Sequence, residues 1–130
     1  MQTNSQKMAH SAYQGVFKAK QAGNMTDEFK SFARGFPTMA HTSGLNQAIA
    51  FARGKGGNHH ECYLKILTKV LKDGGFGDFA DSIALEKHAR EAEAVEYMRL
   101  SRGAFIAADW IKRYAEALAP EKSGAVEVQS

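Results

Sequence analysis

The stretch that decides the fold is YMRLSRGAFIAADWIKRYAEAL, Tyr97 to Leu118. Wound at about 100° per residue, it gathers Tyr97, Leu100, Ala104, Ala107, Ala108, Ile111, Tyr114, Ala115 and Leu118 on one broad face, the pattern of an amphipathic helix of about six turns. Its other side mixes Met98, Phe105 and Ile106 with Arg99, Arg102, Asp109, Lys112 and Arg113, and Trp110 flanks the core face. A helix this apolar on its second side either runs through the middle of a bundle or presents a patch to a partner. Gly103 costs such a helix about 1 kcal/mol relative to alanine. It points to a neighbouring backbone in close approach or to a bend.

The upstream chain supplies the packing partners. From Thr3 to about Gln21, Met8, Ala12, Val16 and Ala19 recur at helical spacing, widened by Tyr13 and Phe17, and Gly23-Asn24 reads as the stop. Thr26 is placed to cap a second helix, with Asp27 and Glu28 in its first turn, where carboxylates suit the helix dipole. That helix turns Phe29, Phe32, Ala33 and Phe36 inward and is expected to end before Pro37, because the residue before a proline avoids helical geometry. Pro37 then opens a short helix burying Met39 and Ala40. Ser43 reads as the cap of a segment with Leu45, Ala48, Ile49 and Ala52 inward, broken at Gly54-Lys55-Gly56-Gly57. Asn58 reads as the cap of a helix from His59 to Asp73, and Gly74-Gly75 terminates it. A loop with Phe76 and Phe79 leads to a short helix around Asp81 to His88. Together these segments predict an all-α, single-domain bundle of about six helices over residues 1–119, ending in the long C-terminal helix. Residues 120–130 lack periodicity and bulk and are expected to form a disordered tail.

At 130 residues and 44% hydrophobic content, the chain fits one domain with one core. The single cysteine, Cys62, excludes an internal disulfide and a multi-cysteine zinc site. No stretch approaches the roughly 20 apolar residues that span a bilayer, and the start, MQTNSQKMAH, has no signal-peptide block. A cytoplasmic protein without a membrane partner is expected. Setting aside Glu121, Lys122 and Glu127 leaves 16 basic and 12 acidic residues, a net of +4. This bias permits a polyanionic partner without demanding one.

Nothing in the sequence argues for catalysis. Asn58-His59-His60-Glu61-Cys62 gathers ligand-type side chains, but adjacent histidines on a helix diverge by about 100°, and no metal-binding i,i+4 pair is present. His59 and His60 read as polar surface groups, Cys62 as core, and neither metal nor cofactor is expected. Gly54-Lys55-Gly56-Gly57 has a phosphate loop's composition but neither its order nor a preceding strand, so it reads as a basic helix connector. Two basic stripes are more informative. Lys65, Lys69 and Lys72 share one face of the fourth long segment, and Arg99, Arg102 and Arg113 share an arc of the last helix, with Lys112 further round. A solvated face is the commoner origin of such stripes; the functional alternative is sequence-independent contact with a phosphodiester backbone. No aromatic platform is interleaved with the basic residues, so base stacking is not indicated.

Two blocks together carry a family resemblance. FPTMAHTSGLNQAIAFARGK, from Phe36 to Lys55, and the opening stretch resemble the small helical subunit of the Cmr complex, the type III-B CRISPR–Cas effector that targets RNA. The matching positions are Gly44, Leu45, Gln47, Phe51, Lys55, Tyr97, Leu100, Arg102, Asp109, Trp110, Ile111, Lys112, Arg113, Tyr114 and Ala115. Gly103 and the glycine-rich loop depart from the pattern. The resemblance implies an all-α, non-catalytic subunit whose copies stack as an inner filament beside other subunits of the effector complex and line the channel for guide RNA and target RNA. On that basis Arg53, Lys55, Lys65, Lys69, Arg102, Lys112 and Arg113 are the expected RNA contacts, and Met98, Phe105 and Ile106 the expected subunit interface. The alternative is a helical protein–protein adaptor with no direct RNA contact.

Overall fold

The computed structural model describes residues 1–119; residues 120–130, for which a disordered tail was expected, lie outside the described residues. Six helices form: α1 (Asn4–Gln21), α2 (Asp27–Ser43), α3 (Leu45–Lys55), α4 (Asn58–Asp73), α5 (Ser82–Glu91) and α6 (Ala94–Ala117). No strand occurs among the described residues, so the all-α class holds.

Local chemistry explains most boundaries. Thr3 and Gln6 form a reciprocal capping box, the threonine hydroxyl accepting from Gln6 N at 3.1 Å while Thr3 N donates to Gln6 Oε1 at 2.8 Å. Thr26 caps α2 by accepting from Phe29 N at 3.1 Å, and Asp81 caps α5 by accepting from Ala84 N at 2.9 Å. Two expected caps are displaced. Gly44, at φ +90°, is the joint between α2 and α3, in place of Ser43, and Gly57, at φ +85°, precedes α4, whose first residue is Asn58. Both joints use left-handed backbone that a side chain disfavours. Freed from capping, Asn58 donates its side-chain amide to Asn24 Oδ1 at 3.0 Å.

Pro37 does not end α2 or start a new helix; it lies inside a continuous helix that runs on to Ser43. Proline withholds one backbone donor and crowds the preceding turn, a cost of about 3 kcal/mol. Burial on both sides of it holds the helix together: Phe36 is fully enclosed and Ala40 nearly so, with Met39 packed against the same core. Tertiary packing here overrides a local signal.

α1 and α2 each pack on both α4 and α6, and α4 and α6 pack on each other between them. α3 covers α2 and α4, and α5 lies against α3 and α4. The buried residues form one cluster to which all six helices contribute. At its centre, Phe29, Phe32 and Phe36 of α2 surround Tyr63 of α4, with ring centroids 6.2, 5.1 and 4.9 Å away. Each such ring, removed from water, contributes roughly 2 kcal/mol. The last helix serves this core through Leu100, Ala104, Ala107, Ala108, Ile111 and Ala115, as its periodicity predicts. Tyr97 has a further role: its hydroxyl accepts from Asn46 N at 2.9 Å, serving a donor in the first turn of α3 that Gly44 has no side chain to cap.

Candidate nucleic-acid interface

The basic stripe of α4 forms as its spacing predicts. Tyr63, Ile66, Leu67, Val70 and Leu71 turn inward, and Lys65, Lys69 and Lys72 are left exposed on the opposite face. Lys69 is held to Asp73 at 2.7 Å, and Lys72 lies 3.6 Å from Asp78. Lys65 has no ion-pair partner among the described residues. These exposed pairs are each worth less than about 1 kcal/mol, so a phosphate competes for the lysines at little cost.

On α6 the outward arc runs Val95, Met98, Arg102, Ile106, Asp109 and Arg113. Arg113 is paired with Asp109 at 3.0 Å, and Arg102 has no ion-pair partner among the described residues. Lys112 is half-buried at the edge of the arc. Met98, 56% exposed, and Ile106, 43% exposed, stand among these charges, and Val95, at 82%, extends the apolar stripe beyond the residues singled out from sequence. Phe105 faces differently: it is half-buried against the core, its ring 5.7 Å from that of His41 on α2.

The stripes on α4 and α6 do not converge. Each helix turns its buried face toward the other and toward α1 and α2, so their exposed faces point to opposite sides of the bundle. Arg53 is also removed from the basic surface. Its Nε lies 2.6 Å from Glu86 Oε1, and the guanidinium reaches Ser82 Oγ at 3.4 Å, which ties α3 to α5. Lys55 sits 5.7 Å from the centroid of the exposed Phe51 ring. The seven expected RNA contacts are therefore spread over three surfaces.

The histidine pair needs correction. His60 is buried, not a surface group: its Nδ1 donates to Gly56 O at 2.7 Å, and its ring packs edge-on to Phe32 with centroids 4.6 Å apart. It closes the α3–α4 connector from inside. The preceding glycines permit this by letting the chain reverse within two residues. Cys62 packs against the core, and burial pushes its thiol upward, with Lys65 partly offsetting the shift; that is the opposite of an activated nucleophile.

Comparison with known proteins fits this architecture. The family model described as CRISPR-associated protein (Cas_Cmr5) matches residues 4–118. The chain belongs to the Cas_Cmr5 family. The CRISPR system Cmr subunit Cmr5 of Thermus thermophilus is 37% identical over 121 residues, covering 93% of this chain and all of the relative. The crystal structure of a CRISPR-associated Cmr5 family protein from Thermus thermophilus superposes with a TM-score of 0.81 at 36% identity, over 92% of this chain and all of that one. The match spans every helix of this Cas_Cmr5 member, including the segment from Phe76 to Ala94, which lies outside the two blocks that carry the resemblance.

Proposed function

We propose that this chain is a non-catalytic small subunit of a type III-B CRISPR–Cas effector, the Cmr complex. It stacks with copies of itself and other subunits and contacts the backbone of guide and target RNA during antiviral defence. The observation that carries this reading is the match to a Cmr5 subunit over 93% of this chain and all of the relative. The surface supports it. Lys65, Lys69, Arg102, Lys112 and Arg113 offer phosphate-neutralising charge without base-specific groups, and Met98, Ile106 and Val95 offer apolar area that the described residues leave uncovered. Arg53 is a weaker member of the RNA set because Glu86 already engages it.

The two charged faces are tested separately because they lie on opposite sides. Lys65→Glu with Lys69→Glu, and Lys112→Glu with Arg113→Glu, are introduced into the assembled complex and target-RNA affinity is measured against salt. Weaker binding with a shallower salt slope supports phosphate contact at that face. Unchanged affinity in both variants removes the basic stripes from the RNA interface. It would leave the adaptor reading, which the exposed aliphatics of α6 favour.

A further inference from the structure

Tyr13 and Phe17 read from sequence as the margin of the core stripe of α1, yet they stand 40% and 39% exposed. Their rings lie nearly parallel, 9° apart, with centroids 5.9 Å from each other. Tyr13 and Tyr114 of α6 make a T-shaped pair with centroids 5.5 Å apart, and Tyr114 stacks on Trp110 at 5.8 Å with planes 15° apart. Four aromatic rings from two helices distant in sequence thus form a continuous, partly exposed row along the α1–α6 seam.

On its α1 side, the charge along this row has one sign. No aspartate or glutamate occurs before Asp27, so α1 carries the charges of Lys7, Lys18 and Lys20 without a carboxylate. At helical spacing His10, Tyr13, Phe17 and Lys20 fall within one arc, and both His10 and Lys20 are exposed. Lys7, Lys18 and Lys20 have no ion-pair partner among the described residues. On the α6 side, the charge of Asp109, beside Trp110, is matched by Arg113.

We infer that the α1–α6 seam is a stacking platform for unpaired bases of single-stranded RNA, with Tyr13 and Phe17 as the ring faces and His10 and Lys20 meeting the adjoining phosphates. Aromatic faces interleaved with uncompensated cations are what sequence-tolerant binding of single strands requires, since every base offers a π-face. The absence of any carboxylate along α1 favours a polyanion here, and the chain displays aliphatic area for a subunit contact elsewhere, at Val95, Met98 and Ile106. The site shares the RNA ligand of the proposal above but none of its residues.

Trp110 is the only tryptophan of the chain, so its emission reports on this seam. The full chain is titrated with a short oligouridylate, and with inorganic polyphosphate as a base-free control, while affinity is measured independently by anisotropy of a labelled oligonucleotide. The expected result is a change in Trp110 emission with oligouridylate and not with polyphosphate. Tyr13→Ala and Phe17→Ala should each weaken RNA binding about tenfold. The slope of affinity against salt should stay unchanged, because a ring contributes no counterion release. Phe17→Leu keeps apolar bulk against the bundle while removing the ring, and is expected to lose the same affinity with an unchanged melting curve. Wild-type RNA affinity in the ring variants, or emission unchanged at saturation, overturns the platform and leaves the basic stripes of α4 and α6 standing. Ring variants that alter sedimentation of the protein alone while binding RNA normally also overturn it, and make the seam a protein contact. A chain that binds no RNA at low salt overturns the platform, while RNA contact by the basic stripes is decided separately in the assembled complex. Emission change that survives reversal of Lys65, Lys69, Lys112 and Arg113 supports a platform independent of the stripes.

Discussion

A Cβ built on Gly103 would lie 2.6 Å from the ring of Phe76. The glycine that looks like a flaw in α6 is the seat of an aromatic ring delivered by the α4–α5 connection. The same ring lies 5.1 Å from the Arg99 guanidinium, which also donates to Phe76 O at 3.0 Å. The close approach at this glycine is therefore made by a side chain, and the loop after α4 is clamped to α6 through it.

Gly103→Ala should accordingly destabilise the protein by about 1 kcal/mol. Alanine gains about 1 kcal/mol in helix propensity, but the overlap with Phe76 costs about 1–3 kcal/mol. The sign should reverse in a Phe76→Ala background, where only the propensity remains. A double-mutant cycle from urea midpoints measures this. Stabilisation by Gly103→Ala in the wild-type background would show that Phe76 moves aside freely.

Arg53→Ala should lower stability by about 1 kcal/mol, and Glu86→Gln by a similar amount, because the pair is largely shielded from water and joins α3 to α5. The second substitution adding little to the first would identify the bridge as the shared cause. The measurement is chemical denaturation of the single and double variants. An RNA-binding defect in Arg53→Ala without loss of stability would return this arginine to the RNA surface.

What could be read from the sequence followed from periodicity. The inward faces of α1, α2, α3, α4 and α6 were visible because burial recurs at helical spacing, and Thr26 and the Gly74-Gly75 stop mark helix ends by local chemistry. Pro37 misled because its local cost is outweighed by Phe36 and Ala40, whose burial depends on α4 and α6. His60 misled because polarity says nothing about the hydrogen bond that waits for it at Gly56. The surface was least legible. Whether Lys65 and Arg102 share a side, and whether Tyr13 meets Tyr114, depends on how helices far apart in sequence are set against each other. Periodicity within one helix does not contain that information.

The Tyr63 hydroxyl is fully enclosed and has no hydrogen-bond partner among the described residues, and burial drives its ionisation far above the ordinary range. An unsatisfied buried hydroxyl costs about 1–3 kcal/mol, while the ring contributes through Phe29, Phe32 and Phe36. Tyr63→Phe should therefore raise stability by about 1 kcal/mol and leave RNA affinity unchanged. Calorimetry decides it. A fall in melting temperature would reveal that the hydroxyl has a partner, such as an internal water.

The join between α5 and α6 is pH-sensitive through Glu96. Hydrogen bonds from Arg99, at 2.9 and 3.0 Å, and from His88, at 2.8 Å, hold its carboxyl down from an ordinary 4.5 to about 2. A carboxylate with a depressed folded pKa contributes stability that is fully present above its unfolded value and is lost as pH falls through the folded one. The contribution of Glu96 should therefore be complete above about pH 5, decline between 4.5 and 2, and vanish below. Glu96→Gln removes the titration, so the difference in stability between wild type and variant should shrink across that window and stay constant at higher acidity. Urea midpoints of both proteins taken at intervals from pH 6 downward, roughly one unit apart, measure the difference directly. A difference that does not change through the window would mean that Arg99 and His88 hold the carboxyl no more tightly than water does.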